Sequence, residues 1–158
     1  MYKGFTLIEL MLVMVVVAVV VAIAAPNLRS VVVTQRVKTV ATDLHTDLTL
    51  ARSEAIKRNA GVDVVPVNTA NWAQGWSVRF GATVLSSQQA YPEVTLTGPA
   101  ASVSYLGTGR MSGTAAVSFF IKATSYPAVT ARCIYVEPSG RPAVRADRDG
   151  DSSDGVCD

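Results

Sequence analysis

The sequence predicts an α+β protein: one long N-terminal helix packed on a mostly antiparallel β head. Three observations carry that expectation. Phe5 to Ala25 is an apolar run of 21 residues with a single ionisable group, Glu9. The segment after it repeats apolar residues at helical spacing. Beyond Gly61 the period falls to two, and turn residues separate short apolar runs. A length of 158 residues suits one domain. The 49% hydrophobic content is concentrated at the N-terminus, and the formal net charge of +2 implies no partner by itself.

The apolar run comes first in the chain. At 1.5 Å per residue it reaches about 32 Å as a helix, enough for a hydrocarbon core of ~30 Å. A cleaved secretory signal is one reading, with "AIAAP" as a cleavage site. Such signals carry a basic n-region and an apolar core of about 7–15 residues. Here the run is longer, Lys3 is the only basic residue before it, and Glu9 is out of place. A plain membrane anchor is another reading. A carboxylate deep in a lipid-exposed helix costs roughly 2.5–3.5 kcal/mol, less near an end where it can snorkel.

The helix continues past Pro26, which removes one backbone donor and is expected to kink or loosen it. Val33, Val37, Val40, Leu44, Leu48, Ala51 and Ala55 recur at steps of three and four, forming one apolar stripe. Arg36, Lys38, Asp43, Asp47, Arg52, Glu54 and Lys57 fall largely on other faces. Asn59-Ala60-Gly61 is a helix stop, with Lys57 and Arg58 well placed in the last turn. The helix is therefore expected from about Phe5 to about Asn59.

The expected strands are 62–67, 76–80, 94–97, 103–106, 116–122 and 132–138. Turns lie at Asn68 to Asn71, Gly81, Gly98-Pro99, Gly107 to Gly109, Gly113 and Ser139-Gly140. Pro66 marks the first strand as an edge or a bulge. Trp72, Trp76, Phe80, Phe119 and Phe120 are expected in the core, since they do not cluster with basic residues.

The stretch "KGFTLIELMLVMVVVAVVVAIAAP" resembles the leader of type IV pilins and type II secretion pseudopilins. The resemblance implies cleavage by a prepilin peptidase after Gly4 and N-methylation of Phe5. It gives Glu9 a role in filament assembly and places Pro26 at the end of the apolar run. Glu9 of one subunit would then meet the new amine of Phe5 on a neighbour. An unpaired carboxylate in an apolar layer is costly and a paired one much less so, which favours one axial register. The implied organisation is a leader over 1–4, a membrane and filament-core helix over 5–26, an amphipathic helix over 27–59 and a β head over 60–158. The implied location is the bacterial inner membrane, single-pass with the head in the periplasm, and then a pilus or pseudopilus built with other pilins.

"NWAQGWSVRF", "YLGTGRM" and "CIYVEPSGRPAVR" resemble segments of the GspH/FimT branch of minor pilins and pseudopilins. In that compartment disulfides persist. Cys133 and Cys157, the only cysteines, are expected to form one bridge holding the tail, and two free thiols are the alternative. Closing a loop of that size contributes roughly 3 kcal/mol in the chain-entropy model.

No catalytic constellation emerges, and no enzyme activity or cofactor is expected. His45 is the single histidine and sits on the helix. Gly107-Thr108-Gly109-Arg110 fits a hairpin turn better than a nucleotide loop. Two function classes remain. One is a minor type IV pilin that takes up extracellular DNA in natural transformation, and the other is a minor pseudopilin of type II secretion. Some FimT proteins bind DNA through a C-terminal Gly-Arg-x-Arg motif. Here Gly140-Arg141 is followed by Arg145, two positions late, and then Arg148. These arginines are expected on an exposed turn, with help from Arg132. From Arg132 to Asp158 four arginines face six acidic residues, a balance of −2; from Asn27 to Ala131 nine basic face five acidic, a balance of +4. Asp147, Asp149, Asp151 and Asp154 around Gly150 are a calcium alternative, set against a soluble tail.

Overall fold

The computed structural model describes residues 4–68, 71–148 and 157, with side chains 23–27 outside the description. Helix α1 (Leu7–Arg58) comes first. The strands are β1 (Val62–Pro66), β2 (Trp76–Phe80), β3 (Thr83–Gln88), β4 (Val94–Thr97), β5 (Val103–Tyr105), β6 (Val117–Ala123), β7 (Arg132–Val136) and β8 (Pro142–Ala146). The chain divides after Val32 into two compact units.

In the first unit, the described side chains of the apolar run are exposed, from Phe5 and Leu7 through Val21. Among the described residues no helix is long and apolar enough to cross a membrane. The described side chains of this run stop at Ala22, so the expected span over 5–26 falls partly outside them. Helix α1 is assigned through Pro26.

The second unit holds the core. Two four-stranded antiparallel sheets are ordered β3-β2-β1-β5 and β4-β6-β7-β8. The seven stripe residues of α1, Val33 to Ala55, are each no more than 2% exposed. They share one apolar cluster with Val62, Val64, Trp76 and Val78 of the first sheet and with Leu96, Phe119, Ile121, Ile134 and Val136 of the second. Strand β1 alternates between buried and half-buried positions, as a two-residue period requires.

Helix α1 ends as its sequence foretells. Asn59 takes a left-handed φ of 48°. Ala60 N–H donates to the Ala55 carbonyl and Asn59 N–H to the Ile56 carbonyl, each at 3.2 Å. This pair of bonds is the Schellman motif. Lys57 and Arg58 both pair with Glu54, and Arg58 lies 4.8 Å from the Phe80 ring centroid.

Three expectations change. Strand β1 lies inside its sheet and is not an edge: β2 flanks Asp63 to Pro66, and β5 flanks Val62 to Val64. Pro66 is tolerated because it lies beyond the β5 ladder. Strand β3 was not expected, and β8 lies outside the six expected strands. Both are edge strands with mostly exposed side chains, so they carry no burial alternation to read. Asp47 is 3% exposed and belongs to the core side of α1.

The Leu48 side chain is fully buried in the cluster. Leu48→Ala is expected to lower unfolding free energy by about 2–5 kcal/mol. The Tyr105 hydroxyl is also fully buried but has no hydrogen-bond partner among the described residues. Tyr105→Phe should therefore change stability by less than about 1 kcal/mol, or raise it. Chemical denaturation of the two variants beside the parent chain checks both, and a loss from Tyr105→Phe as large as that from Leu48→Ala would contradict the reading.

Candidate functional site

The N-terminal segment is built as a helix start. Thr6 precedes the first helical residue, and its hydroxyl accepts the Glu9 N–H at 3.3 Å. Thr6-Leu7-Ile8-Glu9 has the spacing of a capping box, and Glu9 places negative charge in the first turn. The cap bond uses the Glu9 backbone, so its carboxylate stays exposed beside an exposed Phe5. The T-x-x-E spacing was readable in the sequence as a cap.

"NWAQGW" builds the join between helix and sheets. Asn71 Oδ1 accepts the Ala73 N–H at 3.0 Å and caps a short 3-10 helix, Trp72–Gln74. Trp72 meets Phe119 edge-on at 4.9 Å and donates from Nε1 to the Pro99 carbonyl. Trp76 stacks on Tyr91 at 5.5 Å and donates from Nε1 to Asp47 Oδ2 at 2.8 Å. Tyr91 donates in turn to Asp43 Oδ2 at 2.8 Å. Asp43 and Asp47, one turn apart on α1, thus hold the first sheet to the helix. Sequence reading set both aspartates on outer faces because it had no way to see that a buried indole N–H needs an acceptor.

The two later glycine pieces are turns that touch each other. Gly140 has φ 80°, and a Cβ there would overlap the Gly109 carbonyl oxygen. That same oxygen accepts from Arg52 Nε of α1 at 3.0 Å. Met111 N–H donates to the Pro138 carbonyl at 3.2 Å. The β7–β8 hairpin is therefore seated against the β5 turn and, through it, against the end of α1.

This seating positions the arginines. Contrary to the expected turn, Arg145 lies on β8, paired across the ladder with Cys133. Its guanidinium carbon sits 5.7 Å from the Tyr135 ring centroid, on the outer face of the sheet. Arg141 lies just before the strand and Arg148 in the bend after it, both exposed. Arg132 does not join them. It pairs with Ala146 on the opposite face, half-buried beside Lys38, Ala41 and Thr42 of α1. Arg141, Arg145 and Arg148 pair with no carboxylate among the described residues.

Cys133 and Cys157 form a disulfide with Cα atoms 5.8 Å apart. The bridge lies in a small outer cluster of Phe120, Ala131 and Cys133, flanked by Tyr135. The Tyr135 hydroxyl donates to the Cys157 carbonyl. Asp147, part of the calcium alternative, is 5% exposed and its N–H donates to the Ala131 carbonyl. It is thus buried at the end of the β7–β8 ladder. Asp149, Asp151 and Asp154 lie outside the described residues. No group of three metal-ligating side chains occurs among the described residues.

Two families match the sequence. The type II transport protein GspH matches residues 40–140, and the prokaryotic N-terminal methylation motif matches residues 1–25. No curated protein matches it. Among solved structures, the type IV minor pilin FimU of Pseudomonas aeruginosa is similar with a TM-score of 0.61 at 17% identity, over 68% of this chain and 91% of FimU. The minor pseudopilin EpsH of the Vibrio cholerae type 2 secretion system is similar with a TM-score of 0.55 at 13% identity, over 70% of this chain and 97% of EpsH. At such identities the likeness is one of fold.

Burial pushes the Tyr105 hydroxyl up to about 12 from 10.0, with Arg52 opposing. Burial first, and then the Asp43 hydrogen bond, raise Tyr91 as well. Above pH ~10 the unfolded chain releases protons that the folded chain keeps. Stability should therefore fall as pH rises from about 10 to 12. Tyr91→Phe and Tyr105→Phe should each flatten that fall. Denaturation midpoints across the alkaline range, with phenolate absorbance followed in parallel, test this; an unchanged slope in both variants would contradict it.

Proposed function

This chain belongs to the family of the type II transport protein GspH and carries the prokaryotic N-terminal methylation motif, and from that premise we propose that it is a FimT-like minor pilin whose head captures extracellular DNA for uptake in natural transformation. The coarser role, a minor pilin or pseudopilin that assembles with other pilins in a pilus or pseudopilus, follows from the family. The two structures of similar fold are a type IV minor pilin and a minor pseudopilin. The observation that carries the DNA reading is the β7–β8 hairpin. It presents three exposed arginines at one sheet edge, Arg145 on β8, Arg141 just before it and Arg148 just after it. The alternative, a minor pseudopilin of type II secretion, draws support from the family match and the likeness to EpsH.

In this reading residues 1–4 are the leader, and prepilin peptidase cuts between Gly4 and Phe5. Residues 5–26 anchor the subunit in the inner membrane before assembly, 27–59 continue the helix, and the head over 60–158 faces the periplasm. The exposed Glu9 carboxylate is free to pair with the methylated Phe5 amine of a neighbour, because the helix cap uses only its backbone. Pro26 marks the end of the apolar segment.

Mass spectrometry of the membrane-derived protein should give a mature N-terminus at Phe5 carrying one methyl group. Cleavage after Ala25 would overturn the pilin processing proposed here. Glu9→Ala should insert normally but enter filaments poorly, since it leaves the Thr6 cap intact and removes the proposed partner of the amine. Normal filament incorporation of the variant would remove the role assigned to Glu9.

DNA contacts should go mainly to phosphates, since no aromatic pair accompanies the arginines to stack bases. Two or three phosphates neutralised on duplex DNA give a slope of log affinity against log salt of roughly −2 to −3. Arg141→Ala and Arg145→Ala should each weaken binding and make the slope shallower by about one. A salt titration of the full chain in nonionic detergent with labelled duplex measures this. Absence of binding at low salt, or variants that bind as the parent does, would reject the DNA role and leave the pseudopilus subunit as the better account.

A further inference from the structure

The sheet edge formed by β7 and β8 has a cation on each face, Arg145 of β8 outside and Arg132 of β7 inside, and the inner face opens onto a groove. The groove encloses about 350 Å³ and is lined by Lys38, Ala41 and Thr42 of α1, Arg132 of β7 and Val144 of β8. Its volume falls in the range of ligand sites, about 300–1,000 Å³. Three facts about it go together. Ala41, 2% exposed, keeps the floor shallow on the helix side, and Val144 forms the opposite wall. Lys38 is exposed at the rim and Arg132 is half-buried inside. Neither cation makes an ion pair or a side-chain hydrogen bond with a described residue.

The other basic residues of this part of α1 are engaged: Arg36 pairs with Glu93, and Arg52 donates to the Gly109 carbonyl. A half-buried guanidinium without a counter-charge is unfavourable, and an anion in the groove would relieve it. A bidentate fork and a point charge at one opening suit a phosphate oxyanion.

We infer that this groove seats a backbone phosphate of duplex DNA, held by Lys38 and Arg132, while Arg141 and Arg145 hold neighbouring phosphates from the outer side of β8. The inference rests on the DNA reading above and adds a second, inward-facing half to the interface. The occupant is a polyanion and not a single acidic side chain, because cations flank the edge strand on both faces and a repeating backbone can reach past its free edge. The Gly-Arg-x-Arg comparison did not point here, since Lys38 lies more than ninety positions upstream in sequence.

Two more phosphate contacts deepen the expected salt slope to roughly −4 to −5 for the full interface. Lys38→Gln and Arg132→Gln should each bring it back by about one, and the pair by about two. Arg145→Ala should add its own loss independently, because it acts on the opposite face. A second measurement needs no variant. Acylation of lysine amines in the full chain, followed by peptide mass spectrometry, should show Lys38 protected several-fold by duplex DNA. Lys57, paired with Glu54 at the other end of this helical segment, should react equally with and without it.

If Arg145→Ala weakens binding while Lys38→Gln and Arg132→Gln bind as the parent does and Lys38 stays reactive, the groove is overturned and the DNA reading stands. Groove variants that bind DNA normally but fail to enter filaments would also overturn it, assigning the groove to a neighbouring subunit's carboxylate. A parent chain that binds no duplex at low salt removes both readings together.

Discussion

The head depends on one constraint: a single helical stripe must serve two sheets at once. Val33 to Ala55 supplies that surface, and the residues it buries come from both sheets. Leu44, Leu48, Ala51 and Ala55 are all fully buried on that stripe. A stripe of this kind is directional only in the sense of which face is apolar. Rotation of the helix about its axis is restrained by polar contacts, chiefly the Asp47 carboxylate under the Trp76 indole and Asp43 against the Tyr91 hydroxyl. Leaving one of those buried groups without its partner costs more than the bond itself contributes. The pair therefore specifies orientation where the apolar stripe supplies affinity.

What was legible in the sequence follows from the same physics. The stripe, the Asn59 stop and strands β1 and β4 could be read because burial imposes a period and a helix end needs a left-handed residue. Strands β3 and β8 could not. Ser86, Ser87, Ala143 and Arg145 sit where a strand is defined by its neighbour's hydrogen bonds and not by its own side chains. The N-terminal methylation motif was legible as a pattern of residue types, whereas the tail arginines were legible only as a list of charges. Which face of a strand an arginine occupies depends on register, so the separation of Arg132 from Arg145 appears only once β7 and β8 are paired. Lys38 was missed for a similar reason: on a helical wheel it is one more solvated cation, and only the passing edge of β8 gives it a groove.

The glycines of the two later turns show how a sequence signature arises without chemistry. Gly109 and Gly140 are the points where two hairpin turns meet backbone to backbone. A side chain at Gly140 would push the β7–β8 hairpin off the β5 turn and off the Arg52 contact behind it. Their role is to place the hairpin, and whatever the hairpin binds inherits that placement.

The disulfide gives the edge strand a mechanical property. Strand β8 lies wholly within the covalent loop from Cys133 to Cys157 and is anchored at one side to the neighbouring strand itself. Pulled at right angles from an open edge, a strand ordinarily unzips one ladder bond after another. Here the chain beyond β8 returns to a cysteine directly across from Arg145. Tension applied at the strand is transmitted through that bond to β7, which is flanked on its other side by β6. A pull on the edge strand would thus draw on the strength of the sheet interior.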